Sequence, residues 1–133
     1  MAMKFIGIGN DIVEIERISK AIGKNGFKER VFTLKEIAQI EEKGDKAESY
    51  AGRFSAKEAI SKALGTGVRG FNLVDIEILN NSLGKPEVTL KGNLENKNDK
   101  FIVDISISHC KEYATAVAII MEREVKWKSF IKN

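Results

Sequence analysis

Cysteine, proline, histidine and tryptophan are nearly missing from this chain of 133 residues, with one of each. A lone Cys110 cannot close an internal disulfide or supply a Cys-rich zinc site, and a reducing cytoplasm is the expected setting. A lone His109 cannot build a zinc site of the usual kind either. The one proline, Pro86, leaves no Pro-rich linker, and neither repeats nor low-complexity tracts interrupt the sequence. Apolar runs are short. None approaches the ~18 residues of a membrane span, and Asp11 breaks the N-terminal stretch too early for a secretory signal. Charge of one sign is scarce as well. Lys and Arg number 22 against 19 Asp and Glu, a net charge of +3 that does not demand nucleic acid as a partner.

What is present fits one domain spanning residues 1–133. With 43% hydrophobic and 31% charged residues there is enough apolar surface to offset chain entropy. Lys4–Ile8 reads as a short strand ending at Gly9. Ile12, Ile15, Ile18 and Ile22 recur at helical spacing, and Gly23 and Gly26 end or kink that helix. Thr33 and Glu36 form a capping-box pattern for a helix stopping at Gly44. A third helix runs from about Lys46 to Leu64, with Gly65 just past its end.

The second half turns to strands. Asp75–Asn80 and Glu87–Lys91 flank a turn at Asn81–Pro86, and Asn93–Asp99 reads as a loop. Phe101, Val103, Ile105 and Ile107 alternate with Ile102, Asp104, Ser106 and Ser108, the pattern of a half-buried strand. Thr115–Met121 is a more continuously apolar strand, and the basic tail Glu122–Asn133 reads as helical or frayed. Helices first and strands later predict an α+β fold, helices packed on a small antiparallel sheet.

Three segments carry candidate chemistry. In Gly7-Ile-Gly-Asn-Asp11 an acid stands where strand meets helix, and two glycines permit close approach of a ligand or another backbone. Asp11 is either the cap of the Ile12–Ile22 helix or a ligand. Neither a Rossmann fingerprint nor a P-loop is present. On the third helix, Glu58 and Lys62 share a face. They are either a solvated pair or part of a site, since Ser55, Ala59, Ser61 and Ala63 around them are small. Gly65-Thr66-Gly67 then offers uncovered N–H groups suited to phosphate oxygens. A cation would turn Asp11 and Glu58 from a repulsion into a site, because Mg²⁺ accepts one or two carboxylates plus waters and phosphates. The third segment is Ser106-Ile-Ser-His109-Cys110-Lys111. Adjacent strand residues face opposite ways, which weighs against a His109–Cys110 thiolate pair, and no nucleophile elbow supports a Ser-His-acid triad. His109 with Lys111 could instead grip an anion.

Together, GIGNDIVEIERI (7–18), AGRFSAKEAISKALGTG (51–67), DIEILNNSLGKPEV (75–88) and SISHCKEYATAVAI (106–119) resemble the holo-acyl-carrier-protein synthase family. These are the short, trimeric 4′-phosphopantetheinyl transferases. The resemblance implies transfer of the phosphopantetheine arm of coenzyme A to a serine of apo acyl carrier protein, releasing adenosine 3′,5′-bisphosphate and supporting fatty acid biosynthesis. It implies Mg²⁺ held by Asp11 and Glu58, with Lys62 on the phosphates and Glu58, directly or through water, as candidate base. Arg53, Lys62, Gly65, Thr66, Gly67 and His109 map to coenzyme A. A basic stripe of Arg17, Lys20 and Lys24, continued by Lys28 and Arg30 with Phe27 as apolar anchor, would receive the acidic carrier protein. The resemblance further implies a homotrimer with active sites shared between neighbouring subunits. Departures from the family pattern fall at Asn10, Ser55, Cys110 and the Asn25-Gly26 pair. Two other readings compete: a sheet that binds RNA, which the sparse strand aromatics and weak charge disfavour, and a metal-dependent phosphohydrolase.

Overall fold

Glycine at residues 7 and 9 lets a strand lie against a helix with no side chain between them, and the architecture grows from that contact. The structure, a computed structural model, describes residues 2–44, 47–65 and 70–124. Strand β1 (Met3–Glu14) leads into α1 (Ile15–Ile22), α2 (Phe27–Val31), α3 (Leu34–Glu42) and the long α4 (Ala47–Leu64). Strands β2 (Ile76–Asn80), β3 (Pro86–Leu90), β4 (Phe101–His109) and β5 (Tyr113–Arg123) complete it. There are two antiparallel sheets, β1-β5-β4 and β2-β3. The α+β expectation is met, with the sheet divided in two.

Strand β1 is longer than the sequence pattern suggested. It continues through Asp11, Ile12 and Val13, pairing Asp11 with Ala116 and Glu14 with Tyr113. The ladder to β5 satisfies backbone groups that the helical reading assigned to α1, and it overrides the spacing of Ile12 with Ile15. Ile12 is accordingly 66% exposed, while Ile15 and Ile18 are buried. Asp11 therefore caps nothing. The residue before α1 is Glu14, which makes no side-chain cap bond. Phe27–Val31 forms a short helix that the sequence did not announce, and most of Asn93–Asp99, read as a loop, falls in the 3₁₀ turns of Gly92–Lys97. The Thr33–Glu36 capping box is formed in both directions. Of the tail Glu122–Asn133, read as helical or frayed, Glu122 and Arg123 instead end strand β5, held by the ladder to β1, and residues 125 onward lie outside the described residues.

Helix α4 is the central element, covered on most sides rather than along one stripe. Tyr50, Ala51, Ser55, Ala56, Ala59, Ile60, Ala63 and Leu64 are all buried. On one side a Cβ added at Gly7 would collide with the Ala63 carbonyl, and one at Gly9 with the Ala59 carbonyl. On another side the buried Lys57 donates to Glu36 Oε1 and the Val31 carbonyl, both at 2.7 Å, and to the Leu73 carbonyl at 3.1 Å. Glu36 also receives the Thr33 and Ile78 amides. With all its donors and acceptors met, this buried ion pair ties α3, α4 and β2 together, and losing one partner would cost about 3–5 kcal/mol.

Gly9→Ala is expected to destabilise the protein by about 3 kcal/mol in urea unfolding, because overpacking here meets backbone rather than a movable side chain. Gly23→Ala, where the added Cβ finds only ordinary contact with Lys20 O, should stay within about 0.5 kcal/mol. Equal effects at the two positions would contradict the close-contact account.

Candidate functional site

Because β1 runs on to Glu14, Asp11 sits within the strand, and alternation turns it toward α4 together with Gly9 and Val13. Its carbonyl is held by two hydroxyls, Ser55 Oγ at 3.0 Å and Thr115 Oγ1 at 2.8 Å. Ser55 thus does not leave space for a ligand; it fastens the strand to the helix. Lys62 Nζ reaches back to the Asn10 carbonyl at 2.9 Å and to Asp11 Oδ1 at 3.3 Å. The Glu58–Lys62 spacing identified the face of the helix, but the ammonium's direct partner is Asp11.

Asp11 and Glu58 line one groove of about 560 Å³, together with Arg17, Lys20, Lys24, Phe27 and Phe54. Burial pushes the Glu58 carboxyl above its ordinary pKa, the Asp11 charge pushes the same way, and Lys62 opposes them. Two carboxylates held together against their repulsion form a donor set that a hard cation would relieve. Among the described residues no group of three or more His, Cys, Asp or Glu could enclose a metal ion. Any ion here would complete its shell with water or substrate oxygens, which suits Mg²⁺.

The basic stripe gathers at the same groove, with exceptions. Arg17, Lys20 and Lys24 line it, and Phe27 stacks obliquely on Phe54 with ring centroids 6.2 Å apart. Lys20 also pairs with Glu16 at 3.4 Å on the open surface, worth little in water. Arg30 is exposed on α2 and does not line the groove, while Lys28 is engaged by Glu41 at 2.9 Å.

Arg53 and His109 lie elsewhere. They line a second groove of about 420 Å³ with Glu48, Gly52, Asn80, Gly84 and Pro86. Arg53 is buried, donating to Gln39 Oε1 at 2.6 Å, and His109 Nε2 stands 3.8 Å from Glu48 Oε2. Arg53 and Glu58 are five residues apart, which turns them about 140° from each other around the helix. Within one chain the two grooves are therefore distinct. Gly65 follows α4 at φ +76° with open space around it, and Thr66 and Gly67 lie outside the described residues. Cys110 is exposed in the β4–β5 turn and lines neither groove. The sequence reading missed Lys57, Ser55 and Thr115 as the groups that orient this site. Only the adjacency of Lys57 to Glu58 hinted that the helix carries charges on two different sides.

The α+β scaffold presents two acids and three basic side chains in one groove. Residues 7–118 match the model of the 4′-phosphopantetheinyl transferase superfamily. A holo-acyl-carrier-protein synthase of Fusobacterium nucleatum is 58% identical over 120 residues, covering 87% of this chain and 98% of the relative. The crystal structure of a Bacillus anthracis holo-acyl-carrier-protein synthase in complex with CoA (3′,5′-ADP) is similar, with a TM-score of 0.75 and 39% identity. It covers 92% of this chain and all of that one. A Helicobacter pylori synthase in complex with coenzyme A gives a TM-score of 0.74 at 36% identity, covering 85% and 98%. The chain belongs to the 4′-phosphopantetheinyl transferase superfamily, and within it to the holo-acyl-carrier-protein synthases. No helix among the described residues is long and apolar enough to cross a membrane.

In metal-free protein, carboxyl carbon-13 titration should find Glu58 above the ordinary glutamate range, and Asp11→Asn should lower it part of the way. Burial, the larger cause, would persist. An unchanged Glu58 in that variant would separate the two acids.

Proposed function

We propose that this chain transfers the 4′-phosphopantetheine group of coenzyme A to a serine hydroxyl of apo acyl carrier protein, with Mg²⁺ held by Asp11 and Glu58. The observation that carries the reading is the shared groove of those two acids, lined by the basic face of α1. A bound Mg²⁺ would supply charge neutralisation on the pyrophosphate oxygens.

The remaining steps belong to the chain's own residues. Lys62, one helical turn past Glu58, provides a point charge for the same phosphates. Glu58, directly or through water, is the candidate to accept the serine proton, since it lines the groove beside Asp11. The serine oxygen then bonds to the pantetheine-side phosphorus as the bridging P–O bond breaks, and adenosine 3′,5′-bisphosphate leaves. Arg53 and His109 serve the nucleotide end from the second groove, and the family resemblance adds Gly65, Thr66 and Gly67 to that role. Arg17, Lys20 and Lys24 steer the acidic carrier protein, and Phe27 offers it an apolar contact. Arg30, off the groove, is the weakest member of that set.

The same reading includes a homotrimer with shared active sites. Two observations support it. The outer face of the β1-β5-β4 sheet bears Phe5 at 57% exposure, Ile8 at 59% and Ile12 at 66%, beside Val117 and Ile119, an apolar strip suited to burial by another copy. And the Arg53–His109 groove and the Asp11–Glu58 groove share no lining residue within one chain, as expected if neighbouring chains each contribute one of them.

The test is an incubation with coenzyme A, Mg²⁺ and apo carrier protein, followed by mass spectrometry of the carrier. A phosphopantetheine mass increment is expected, lost on chelation and reduced at least 100-fold by Asp11→Ala or Glu58→Ala, as for loss of electrostatic transition-state support. Adenosine bisphosphate formed without carrier would make the protein a hydrolase instead. Subunits of Asp11→Ala and His109→Ala, mixed and allowed to exchange, should recover roughly a quarter of the activity if each site spans two chains. No recovery would place each site within one chain. Reversing the charges of Arg17 and Lys24 should raise KM for carrier more than for coenzyme A, and equal changes would remove the steering role.

A further inference from the structure

We propose that Lys62 is an exchangeable counter-ion of the metal site. Its ammonium neutralises Asp11 while substrate is absent, opposes the binding of a divalent cation to the free enzyme, and moves to the phosphates when coenzyme A arrives. The proposal rests on the reading of Asp11 and Glu58 as metal ligands. It goes beyond that reading by giving Lys62 a role before substrate binds.

The geometry is specific. Lys62 Nζ is anchored by the Asn10 carbonyl at 2.9 Å, and from there it covers Asp11 Oδ1 at 3.3 Å. The Asp11 side chain is only 16% exposed, whereas that of Lys62 is 55% exposed. The acid is fixed, its main chain held by Ser55 and Thr115, and the ammonium reaches it from the exposed side on a long stem. A lysine so placed can swing outward without disturbing packing. Glu58 lines the same groove as Asp11, together with the basic face of Arg17, Lys20 and Lys24, and Lys62 is the cation in direct contact with Asp11.

A divalent ion taking Asp11 Oδ1 would leave Lys62 close beside a double positive charge. In water-like surroundings that repulsion between a double and a single charge, at about 4–5 Å, corresponds to about twenty-fold in affinity. Relief comes when phosphate oxygens offer the ammonium a new partner. Metal and coenzyme A then strengthen each other's binding, a reciprocal coupling that Lys62 mediates.

The experiment is calorimetric titration of Mn²⁺ into the full chain without carrier protein, in the absence and presence of coenzyme A. Lys62→Met, Lys62→Gln and Asp11→Asn are compared with the unaltered chain. Without coenzyme A, both Lys62 variants should bind Mn²⁺ about twenty-fold more tightly than the unaltered chain. The affinity gain that coenzyme A confers should shrink by the same factor in these variants, what remains being ligation by the phosphate oxygens, and Asp11→Asn should abolish the site. Equal or weaker Mn²⁺ binding by the Lys62 variants, with the coenzyme A complex of the unaltered chain still taking up Mn²⁺, overturns this proposal and leaves the metal reading intact. Absence of Mn²⁺ binding in every form, even with coenzyme A, overturns both.

Discussion

The bare backbone of β1 at Gly7 and Gly9, lying directly on the Ala59 and Ala63 turns of α4, is the constraint from which the rest follows. Any side chain at those glycines would hold the strand away from the helix, because protein interiors offer no slack for another atom. With the two backbones this close, the next inward-facing strand residue, Asp11, comes within reach of the next outward turn of the helix. Lys62 bonding to both the Asn10 carbonyl and Asp11 reflects that proximity. The paired acids follow from a close-packed strand and helix, not from a loop shaped around a ligand.

Distance alone does not aim a side chain; the rotation of α4 does. Lys57 and Glu58 are neighbours in sequence, so they point about 100° apart around the helix. The buried end of Lys57 is fixed by Glu36 and two carbonyls, which leaves Glu58 nowhere to point but the groove. One charge is spent inside the fold so that the adjacent charge is presented outside it. Such a buried pair is a weak source of net stability compared with apolar packing, and its value here is the phase it gives the helix.

The long helix, the capping box at Thr33, the β2–β3 hairpin and the alternating β4 strand were all legible in the sequence, because each rests on local periodicity or turn chemistry. The N-terminal boundary was not. Ile12, Ile15, Ile18 and Ile22 keep helical spacing, but Ile12 belongs to a strand whose partner, β5, lies about a hundred residues downstream, and only that pairing moves the helix start to Ile15. The chemistry of Asp11 and Glu58 was readable as two acids near small residues, and the family resemblance supplied their pairing. That Ser55 and Thr115 hold the Asp11 carbonyl was not readable, since both contacts are long-range and hydroxyls leave no periodic trace. Nor could the pattern show that Arg53 and Glu58, within one motif, open onto different grooves.

The two grooves are separate within one chain, and the outer face of the three-stranded sheet keeps Phe5, Ile8 and Ile12 exposed. The account stands or falls on one ion in one place. Crystals grown with coenzyme A and Mn²⁺, measured at the manganese absorption edge, should show an anomalous peak between the Asp11 and Glu58 carboxylates, in contact with the pyrophosphate. A diphosphate bound with no peak there, or a peak coordinated by other side chains, would contradict it.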